Sequence, residues 1–229
     1  MTIAIVGYGK MGRMIERLAS ERGISIGPKL DEFNNADFSG ITSENFRGVD
    51  VAIDFSTPAT VVGNIERIAA LGVNLVVGAT GWQDHMPHVR SIVDRTGIGL
   101  VWSPNFSVGM NAFFRILNAA SKLLANESEY EAWAWEIHHS AKKDAPSGTL
   151  LKLVDEMRAA GYGRRIDVSS NRAGAMPGTH EIGFDSTADT ITLRHTARSR
   201  EGFALGAIKA AEWVAGRKGF HEFGDILFS

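Results

Sequence analysis

The chain has 229 residues, of which 44% are hydrophobic and 22% charged, and its net charge is -2; this suits one large core or two modest ones and argues against a nucleic-acid partner. The N-terminus resembles no secretion signal, and no apolar run approaches the ~20 residues that cross a bilayer, so we expect a cytoplasmic protein with no membrane partner. Because the chain contains no cysteine, disulfides, thiolate nucleophiles and cysteine-based metal sites are excluded.

The first half of the chain alternates short apolar strands with amphipathic helices. Strands are predicted at residues 2–6, 24–26, 49–55, 73–77 and 100–102. Helices are predicted directly after the first strand, at residues 60–70 and at residues 88–95. A series of this kind predicts an α/β fold with a Rossmann-type parallel sheet that is covered by helices on both faces.

The pattern changes after Phe106. An apolar helix around residues 110–124 is followed at residues 130–137 by alternating large apolar and polar side chains, which is typical of a half-buried strand. Further strands are predicted at residues 165–169, 179–184 and 190–196, and a last helix begins near residue 200. We therefore expect a first domain of residues 1–106 and 200–229, and a smaller α+β domain with a mixed sheet at residues 107–199.

A glycine-rich turn joins the first strand to the first helix. Its residues match the pattern G-x-G-x-x-G and are Gly7, Tyr8, Gly9, Lys10, Met11 and Gly12. Glycines at this spacing let the backbone approach a pyrophosphate at a helix N-terminus, and Asp31, nineteen positions beyond Gly12, is placed to meet the adenosine ribose. The placement predicts a dinucleotide site, with a purely structural glycine turn as the alternative.

Three later loops are expected to line the same crevice, because ligands of open α/β sheets bind at the carboxyl ends of the strands. Their residues are Phe55, Ser56, Gly78, Ala79, Thr80, Ser103, Pro104, Asn105 and Phe106. For each loop taken alone, simple turn formation is an equally good interpretation.

The densest chemistry lies between Glu136 and Thr149. His138 and His139 can exchange protons near neutral pH, and Lys142 supplies a positive charge. The run Ser147, Gly148 and Thr149 has the character of a capped helix start, and the N-terminus of a helix is a natural seat for a carboxylate. The segment predicts a site for a small acidic substrate; the alternative is a solvated basic loop before an ordinary helix. The histidines show no metal-binding spacing, so we expect no metal.

Taken together, these motifs resemble 4-hydroxy-tetrahydrodipicolinate reductases, the dihydrodipicolinate reductase family of bacterial lysine and diaminopimelate synthesis. The resemblance rests on residues 7–12, 54–58, 78–81 and 105–109, and above all on the string H-H-x-x-K-x-D-A-P-S-G-T at residues 138–149. The chain is short for that family, with shortened loops around residues 34–43 and 161–165. Its glycine-rich turn also has one residue fewer than the longer glycine-rich variant of this cofactor turn.

The resemblance implies NAD(P)H-dependent reduction of 4-hydroxy-tetrahydrodipicolinate to tetrahydrodipicolinate. It implies that His138 is the proton donor and Lys142 an essential partner. It also implies that the substrate's two carboxylates are held by His139, Lys142, Gly148 and Thr149. The first domain would bind the dinucleotide. The second would bind substrate and form a homotetramer through its sheet.

The choice of nicotinamide depends on the charges near the adenosine ribose. Asp31 and Glu32 would repel a 2′-phosphate, which favours NADH. Lys10 and Lys29 could attract that phosphate, and Thr57 stands where some relatives have an arginine. We expect NADH to be used at least as well as NADPH, with dual use open. Two other functions also stay open: a nicotinamide-binding sensor, and a reductase of another small carboxylate.

Overall fold

The computed structural model describes residues 1–228 and divides into two units. The first unit is formed by Met1–Ser107 together with the chain from Glu201 onward, and the second is Val108–Arg200. Within the described residues, no helix combines the length and the apolar character that a membrane crossing requires.

The first unit contains a six-stranded parallel sheet, which confirms the predicted Rossmann-type architecture. Its strands are β1 (Thr2–Val6), β2 (Ser25–Leu30), β3 (Val51–Asp54), β4 (Asn74–Val77), β5 (Gly99–Trp102) and β10 (Gly219–Glu222). They lie side by side in the order β10-β5-β4-β3-β1-β2, and every neighbouring pair is parallel. The carboxyl ends of β1, β3, β4 and β5 therefore share one edge of the sheet.

Helices cover both faces of this sheet. They are α1 (Lys10–Glu21), α2 (Val61–Ala70), α3 (Met86–Thr96) and α6 (Glu201–Val214), with a short α7 (Phe223–Ile226) after the last strand. Ala4 and Val6 pack in the core that includes Ile65 of α2, whereas Ile3 packs in the core that includes Ile208 of α6. A strand buried on both faces needs a continuous apolar run. That is why the central strands were visible in the sequence.

Two strands of this sheet depart most from the prediction. β2 extends to Leu30 through Pro28, and because β2 is the edge strand, a proline costs it no ladder hydrogen bond on the open side. β10 was not predicted at all, since its four residues are evenly half-buried and show neither alternation nor an apolar run. It pairs with β5 from Gly219↔Gly99 to Glu222↔Trp102.

The second unit contains the predicted mixed sheet of four strands. These are β6 (Glu131–His138), β7 (Ile166–Arg172), β8 (Thr179–Asp185) and β9 (Thr190–Thr196), in the order β7-β6-β8-β9. β7 runs parallel to β6, while β8 and β9 are antiparallel to their neighbours. The helices α4 (Val108–Leu124) and α5 (Gly148–Ala159) share one hydrophobic core with Ala132, Ala134 and Ile182 of the sheet.

Alternation along β6 decides which side chains face the helices. Ala132, Ala134, Glu136 and His138 are buried, and the residues between them are exposed or half-buried. The strand register then places Glu136 beside Ser170 of β7 and beside His180 of β8. Polar side chains from three strands thus converge at the carboxyl end of β6.

Candidate functional site

The glycine turn at the end of β1 is tightly built against a neighbouring loop. Gly7 has a φ of +83°, and a Cβ there would lie 2.5 Å from the carbonyl carbon of Phe55. A Cβ on Gly12 would lie 2.8 Å from the carbonyl oxygen of Gly7. Both positions therefore need glycine for packing alone. Gly9 is different, because a Cβ built there meets no atom within 4 Å.

A cavity of about 750 Å³ opens over this turn, a volume within the range of small-molecule and cofactor sites. Eight predicted cofactor residues line it: Gly7, Tyr8, Gly9, Lys10, Met11, Asp31, Phe55 and Ser56. Arg13, Phe33 and Asn64 also line it, and none of them was among the residues predicted from the sequence. The cavity spans the carboxyl ends of β1, β2 and β3, where the adenosine and pyrophosphate of a dinucleotide would fit.

The remaining predicted cofactor residues do not line this cavity. They are Gly12, which is buried within α1, and the loop residues Gly78, Ala79, Thr80, Ser103, Pro104, Asn105 and Phe106. The loops directly follow β4 and β5 at the same carboxyl edge of the sheet. Phe106 is buried, with its ring centroid 6.2 Å from that of Phe55. Their cofactor role stays a prediction.

Asp54 holds the loop that follows β3. Its fully buried carboxylate accepts hydrogen bonds from the Ser56 amide at 2.7 Å and from the Asn64 side chain at 2.9 Å. Burial raises the pKa of Asp54 to about 6, although these hydrogen bonds act in the opposite direction. Asp54 was not predicted as a functional residue and entered the sequence analysis only within the family motif at residues 54–58. A single carboxylate at the end of an apolar strand is the feature that could have identified it.

Tyr8 and Asp31, which line the cavity, are also engaged in contacts within the unit. The carboxylate of Glu16 accepts hydrogen bonds from the Tyr8 hydroxyl and, at 3.0 Å, from the Lys29 ammonium, which lies 5.1 Å from the centroid of the Tyr8 ring. Oδ1 of Asp31 accepts from the backbone amide of Phe33 at 2.9 Å. Asp31 therefore shapes the loop after β2 as well as supplying negative charge.

In the second unit, the carboxylate of Glu136 is the centre of a buried network. Its Oε1 accepts hydrogen bonds from the Ser147 amide at 2.8 Å, from Arg172 at 2.8 Å and from the Ser170 hydroxyl at 3.1 Å. Burial raises the pKa of Glu136, but hydrogen bonds from His180, Ser147 and Arg172 outweigh it and hold the pKa far below its ordinary value. Glu136 is ionised at every physiological pH.

His138 lies at the carboxyl end of β6, next to this carboxylate. Its side chain is 9% exposed, and its Nδ1 is 3.4 Å from Oε2 of Glu136. Nε2 of His180 is 3.3 Å from the same oxygen, and the two imidazole rings meet edge to face with centroids 5.1 Å apart. Burial lowers the pKa of His138 to about 4, while the charge of Glu136 opposes that effect. His138 is therefore neutral at pH 7 in the free protein.

The loop after His138 leads to the capped start of α5. Ser147 is the N-cap: its Oγ accepts a hydrogen bond from the Leu150 amide at 3.2 Å and also donates to Glu136. Gly148 is exposed and Thr149 is half-buried at this N-terminus. The first turn thus offers backbone N–H groups to an anion, while the Ser147 hydroxyl is directed into the interior.

Not all of the predicted substrate groups are gathered by this network. The network joins His138 and Ser147 through Glu136, whereas the Lys142 ammonium pairs with Asp144 at 2.9 Å and His139 is half-buried in the loop. Arg172 connects the loop to the network by donating to the carbonyl of Asp144 as well as to Glu136.

Three network residues, Glu136, Arg172 and His180, were not selected from the sequence. The alternation along β6 contains a signal for one of them, because it places a charged side chain among alanines on the buried face. No comparable signal marks the other two, which reach Glu136 from β7 and β8.

The same cluster has distances that a metal ion would require. Ligand atoms of Glu136, His138 and His180 lie within 4.8 Å of one another. The guanidinium of Arg172 already binds the Glu136 carboxylate at 2.8 Å, and a cation there would be repelled by it. The absence of a metal stays a prediction, and the chemistry of the donor set supports it.

Comparison with known proteins covers the chain nearly end to end. The family model described as "Dihydrodipicolinate reductase, N-terminus" matches residues 1–106, and the one described as "Dihydrodipicolinate reductase, C-terminus" matches residues 109–227. The chain is 34% identical to a 4-hydroxy-tetrahydrodipicolinate reductase of Christiangramia forsetii, over 99% of this chain and 98% of that protein. It is 38% identical to one of Methanosarcina barkeri, over 78% and 73%.

Among solved structures, the fold is similar to that of dipicolinate-bound dihydrodipicolinate reductase from Paenisporosarcina sp. TG-14. The TM-score is 0.82 with 20% sequence identity, and 99% of each chain is covered. A myo-inositol dehydrogenase from Corynebacterium glutamicum is similar at a TM-score of 0.59 and 14% identity, over 96% of this chain and 90% of that one.

The contrast between Gly7 and Gly9 gives a test of the dinucleotide site. Gly9→Ala should fold with unchanged thermal stability, because the Cβ meets open space, yet should weaken NADH binding at least about tenfold by obstructing the pyrophosphate. Gly7→Ala should instead destabilise the fold by about 1–3 kcal/mol through overpacking. Fluorescence titration with NADH and thermal unfolding measure the two effects. Normal NADH affinity in Gly9→Ala would contradict the placement.

Proposed function

Because the chain belongs to the dihydrodipicolinate reductase family, matched by family models at residues 1–106 and 109–227, we propose that it reduces 4-hydroxy-tetrahydrodipicolinate to tetrahydrodipicolinate with NAD(P)H. This reaction belongs to lysine and diaminopimelate synthesis, and we place it in the cytoplasm. The observation that carries the proposal is the buried network in which Glu136 joins His138 to the N-terminus of α5. It sets a proton-exchanging group beside a carboxylate seat.

The first unit has the features that a nicotinamide dinucleotide requires. The pyrophosphate would lie over the turn of residues 7–12 at the N-terminus of α1, where Gly9 leaves the backbone uncovered. The ribose of the adenosine would face Asp31, and Phe55 and Ser56 line the same cavity. When bound, the cofactor supplies the hydride, and the protein supplies orientation and charge.

The second unit supplies the groups for a small dicarboxylate. His139, Lys142 and the N–H groups of Gly148 and Thr149 are the proposed carboxylate ligands. Binding there would release Lys142 from Asp144, its partner in this structure. Since the Ser147 hydroxyl is engaged with Glu136, Ser147 contributes to the seat as its cap, by holding the first turn of α5 in place.

His138 is the proposed proton donor to the ring carbon next to the one that receives the hydride. A buried histidine with a pKa of about 4 is neutral at pH 7 and lacks the second ring proton that it would donate. Two substrate carboxylates favour the imidazolium and raise that pKa in the complex. The free enzyme is thus set to take up its proton as the substrate binds, and Lys142 and the α5 N-terminus keep the anion close.

The reaction is tested with substrate generated in situ and cofactor oxidation followed by absorbance. His138→Ala should lower kcat by about 100- to 10,000-fold, the usual contribution of a positioned acid, with NADH affinity unchanged. The control is His88→Ala, an exposed histidine on α3 paired only with Glu66 in the described structure, which should keep full activity. Binding of NADH without turnover on any imino or keto acid would favour the sensor alternative. Turnover of a different carboxylate would favour the alternative that the protein is a reductase of another small carboxylate.

The charges around the cavity support a preference for NADH. Glu16 binds the ammonium of Lys29 at 3.0 Å, so this lysine is already neutralised and is a weak attractor for a 2′-phosphate. Asp31 and Glu32 both line the cavity and would repel that phosphate. Arg13 and Lys10 are the opposing groups, since both line the same cavity. Lys10 belongs to the turn over which the pyrophosphate would lie, so near the ribose we weigh Asp31 and Glu32 against Arg13.

We expect kcat/KM for NADH to equal or exceed that for NADPH at fixed ionic strength, because salt screens these contacts. Asp31→Asn should reduce the NADH advantage several-fold, since it removes the charge while leaving an oxygen that can accept from the Phe33 amide. Asp84→Asn, an exposed residue outside the cavity lining, is the control. An NADPH preference above about tenfold, or roughly 1.4 kcal/mol, would show that Arg13 or Lys10 outweighs the acids.

The sheet of the second unit offers a surface for self-association. The face that turns away from α4 and α5 carries Trp133 and Trp135 on β6, and both indoles are half-buried. Glu181 and Arg194 form an ion pair at 3.2 Å between β8 and β9 on the same face, as the strand register shows. Tryptophan and arginine side chains are enriched in subunit interfaces. We propose that this face forms a homotetramer.

Sedimentation equilibrium tests this assembly. The wild-type protein should show the mass of four chains, and Trp135→Arg should lower it to two or one, because a buried unpaired charge opposes association. Val168→Arg serves as the matched control: Val168 is 38% exposed and lies on the helix-facing side of β7. A wild-type protein that sediments as a single chain would contradict the proposal.

A further inference from the structure

We propose that Glu136 is a positioning residue, which fixes the orientation of His138 so that only Nε2 exchanges a proton with the substrate. The inference rests on the proposed function, because it concerns how the proposed proton donor is held. Glu136 itself is completely buried and reaches the reaction through His138.

The geometry around His138 distinguishes its two ring nitrogens. Nδ1 is buried, makes no hydrogen bond to any residue that the structure describes and lies 3.4 Å from Oε2 of Glu136, and the two side chains face the same side of β6 because they are two positions apart. An ionised carboxylate at this distance favours a proton on Nδ1. In the neutral ring, Nε2 is then the unprotonated nitrogen, and it takes up the transferable proton when the ring becomes charged.

The other side of the ring is kept open by Gly178. This glycine has a φ of +146°, and a Cβ at its position would lie 2.8 Å from Nε2 of His138 and 3.0 Å from Cδ2. Its carbonyl oxygen accepts from the Ala197 amide at 2.9 Å, which fixes the backbone at the end of β9. Any larger residue would cover the nitrogen that Glu136 leaves for exchange.

The charges around His138 support the same role for Glu136. The groups whose fields act on His138 are Glu136, His180, Lys142 and Arg172, and His195 lies beside His180 across β8 and β9. Glu136 favours the imidazolium, whereas the three basic groups oppose it. Removing the charge of Glu136 should therefore lower the pKa of His138 in the substrate complex.

The same carboxylate also anchors the substrate seat. Ser147, the N-cap of α5, donates to Glu136 through both its amide and its hydroxyl. A change at Glu136 could therefore act on His138, on the seat, or on both. The pH profile separates these effects: loss of the seat raises KM, while loss of the charge moves the pH at which kcat declines.

The decisive variant is Glu136→Gln, which keeps the size of the side chain and removes its charge. We expect kcat at pH 7.5 to fall about tenfold or more, and the high-pH decline of kcat to move to lower pH by about one unit or more, since an acid with a lower pKa loses its proton earlier. Ser170→Ala is the control. It removes one hydrogen bond to Glu136 and keeps the charge, so the position of the decline should not move.

A second measurement needs no turnover. In ¹⁵N-histidine-labelled free protein, His138, assigned by comparison with His138→Gln, should show a protonated Nδ1 and an unprotonated Nε2. Glu136→Asp covers the case in which Glu136→Gln does not fold: it keeps the charge and should keep the pH of the decline. The proposal is overturned if His138 carries its neutral-state proton on Nε2, or if folded Glu136→Gln keeps the wild-type pH profile. Absence of reductase activity in the wild type would instead refute the proposed function, and the NMR result would still test Glu136.

Discussion

The ionised carboxylate of Glu136 in a dry interior is the constraint on which the second unit depends. A buried charge is tolerated only when it is paired and hydrogen-bonded, and removing its oppositely charged partner typically costs about 3–5 kcal/mol. Glu136 accepts hydrogen bonds from Ser147, Ser170 and Arg172 on one oxygen and from the Ser147 hydroxyl on the other, where ring nitrogens of His138 and His180 lie at 3.4 and 3.3 Å. The partners come from β7, β8 and the start of α5, so satisfying one charge fixes where these elements meet.

This requirement explains why chemistry and stability share residues here. The cap of α5 is held by the same carboxylate that faces His138, and Arg172 ties the intervening loop to it through the carbonyl of Asp144. The loop carrying His139 and Lys142 therefore has both ends fixed while its own side chains remain accessible. Preorganisation of this kind places the binding groups before substrate arrives.

In the first unit, a buried carboxylate likewise holds a loop at the edge of the parallel sheet. Helices cover both faces, so the strand ends are where a ligand can reach the backbone. Asp54 holds the loop after β3 by accepting from the Ser56 amide, and the backbone of that loop leaves Gly7 no room for a side chain. In both units a buried carboxylate near a strand end shapes a loop that the ligand is proposed to touch. Asp54 has a pKa raised to about 6, and Glu136 has one far below normal. The difference follows from the hydrogen bonds that His180, Ser147 and Arg172 direct to Glu136, whereas among the described residues Asp54 has only Ser56 and Asn64 as partners.

Local patterns determined much of this protein: the two-sided apolar strands, the glycine turn at residues 7–12, the alternation along β6 and the capped start of α5 are all set by neighbours in sequence. The family, too, was recognisable from short local motifs, above all from the string at residues 138–149. Tertiary structure alone decided that β10 joins the sheet, that Lys29 is paired with Glu16, and that Arg172 and His180 reach Glu136. These contacts depend on strand register and on side chains far apart in the chain, and neither composition nor periodicity encodes which distant residue will neutralise a given charge.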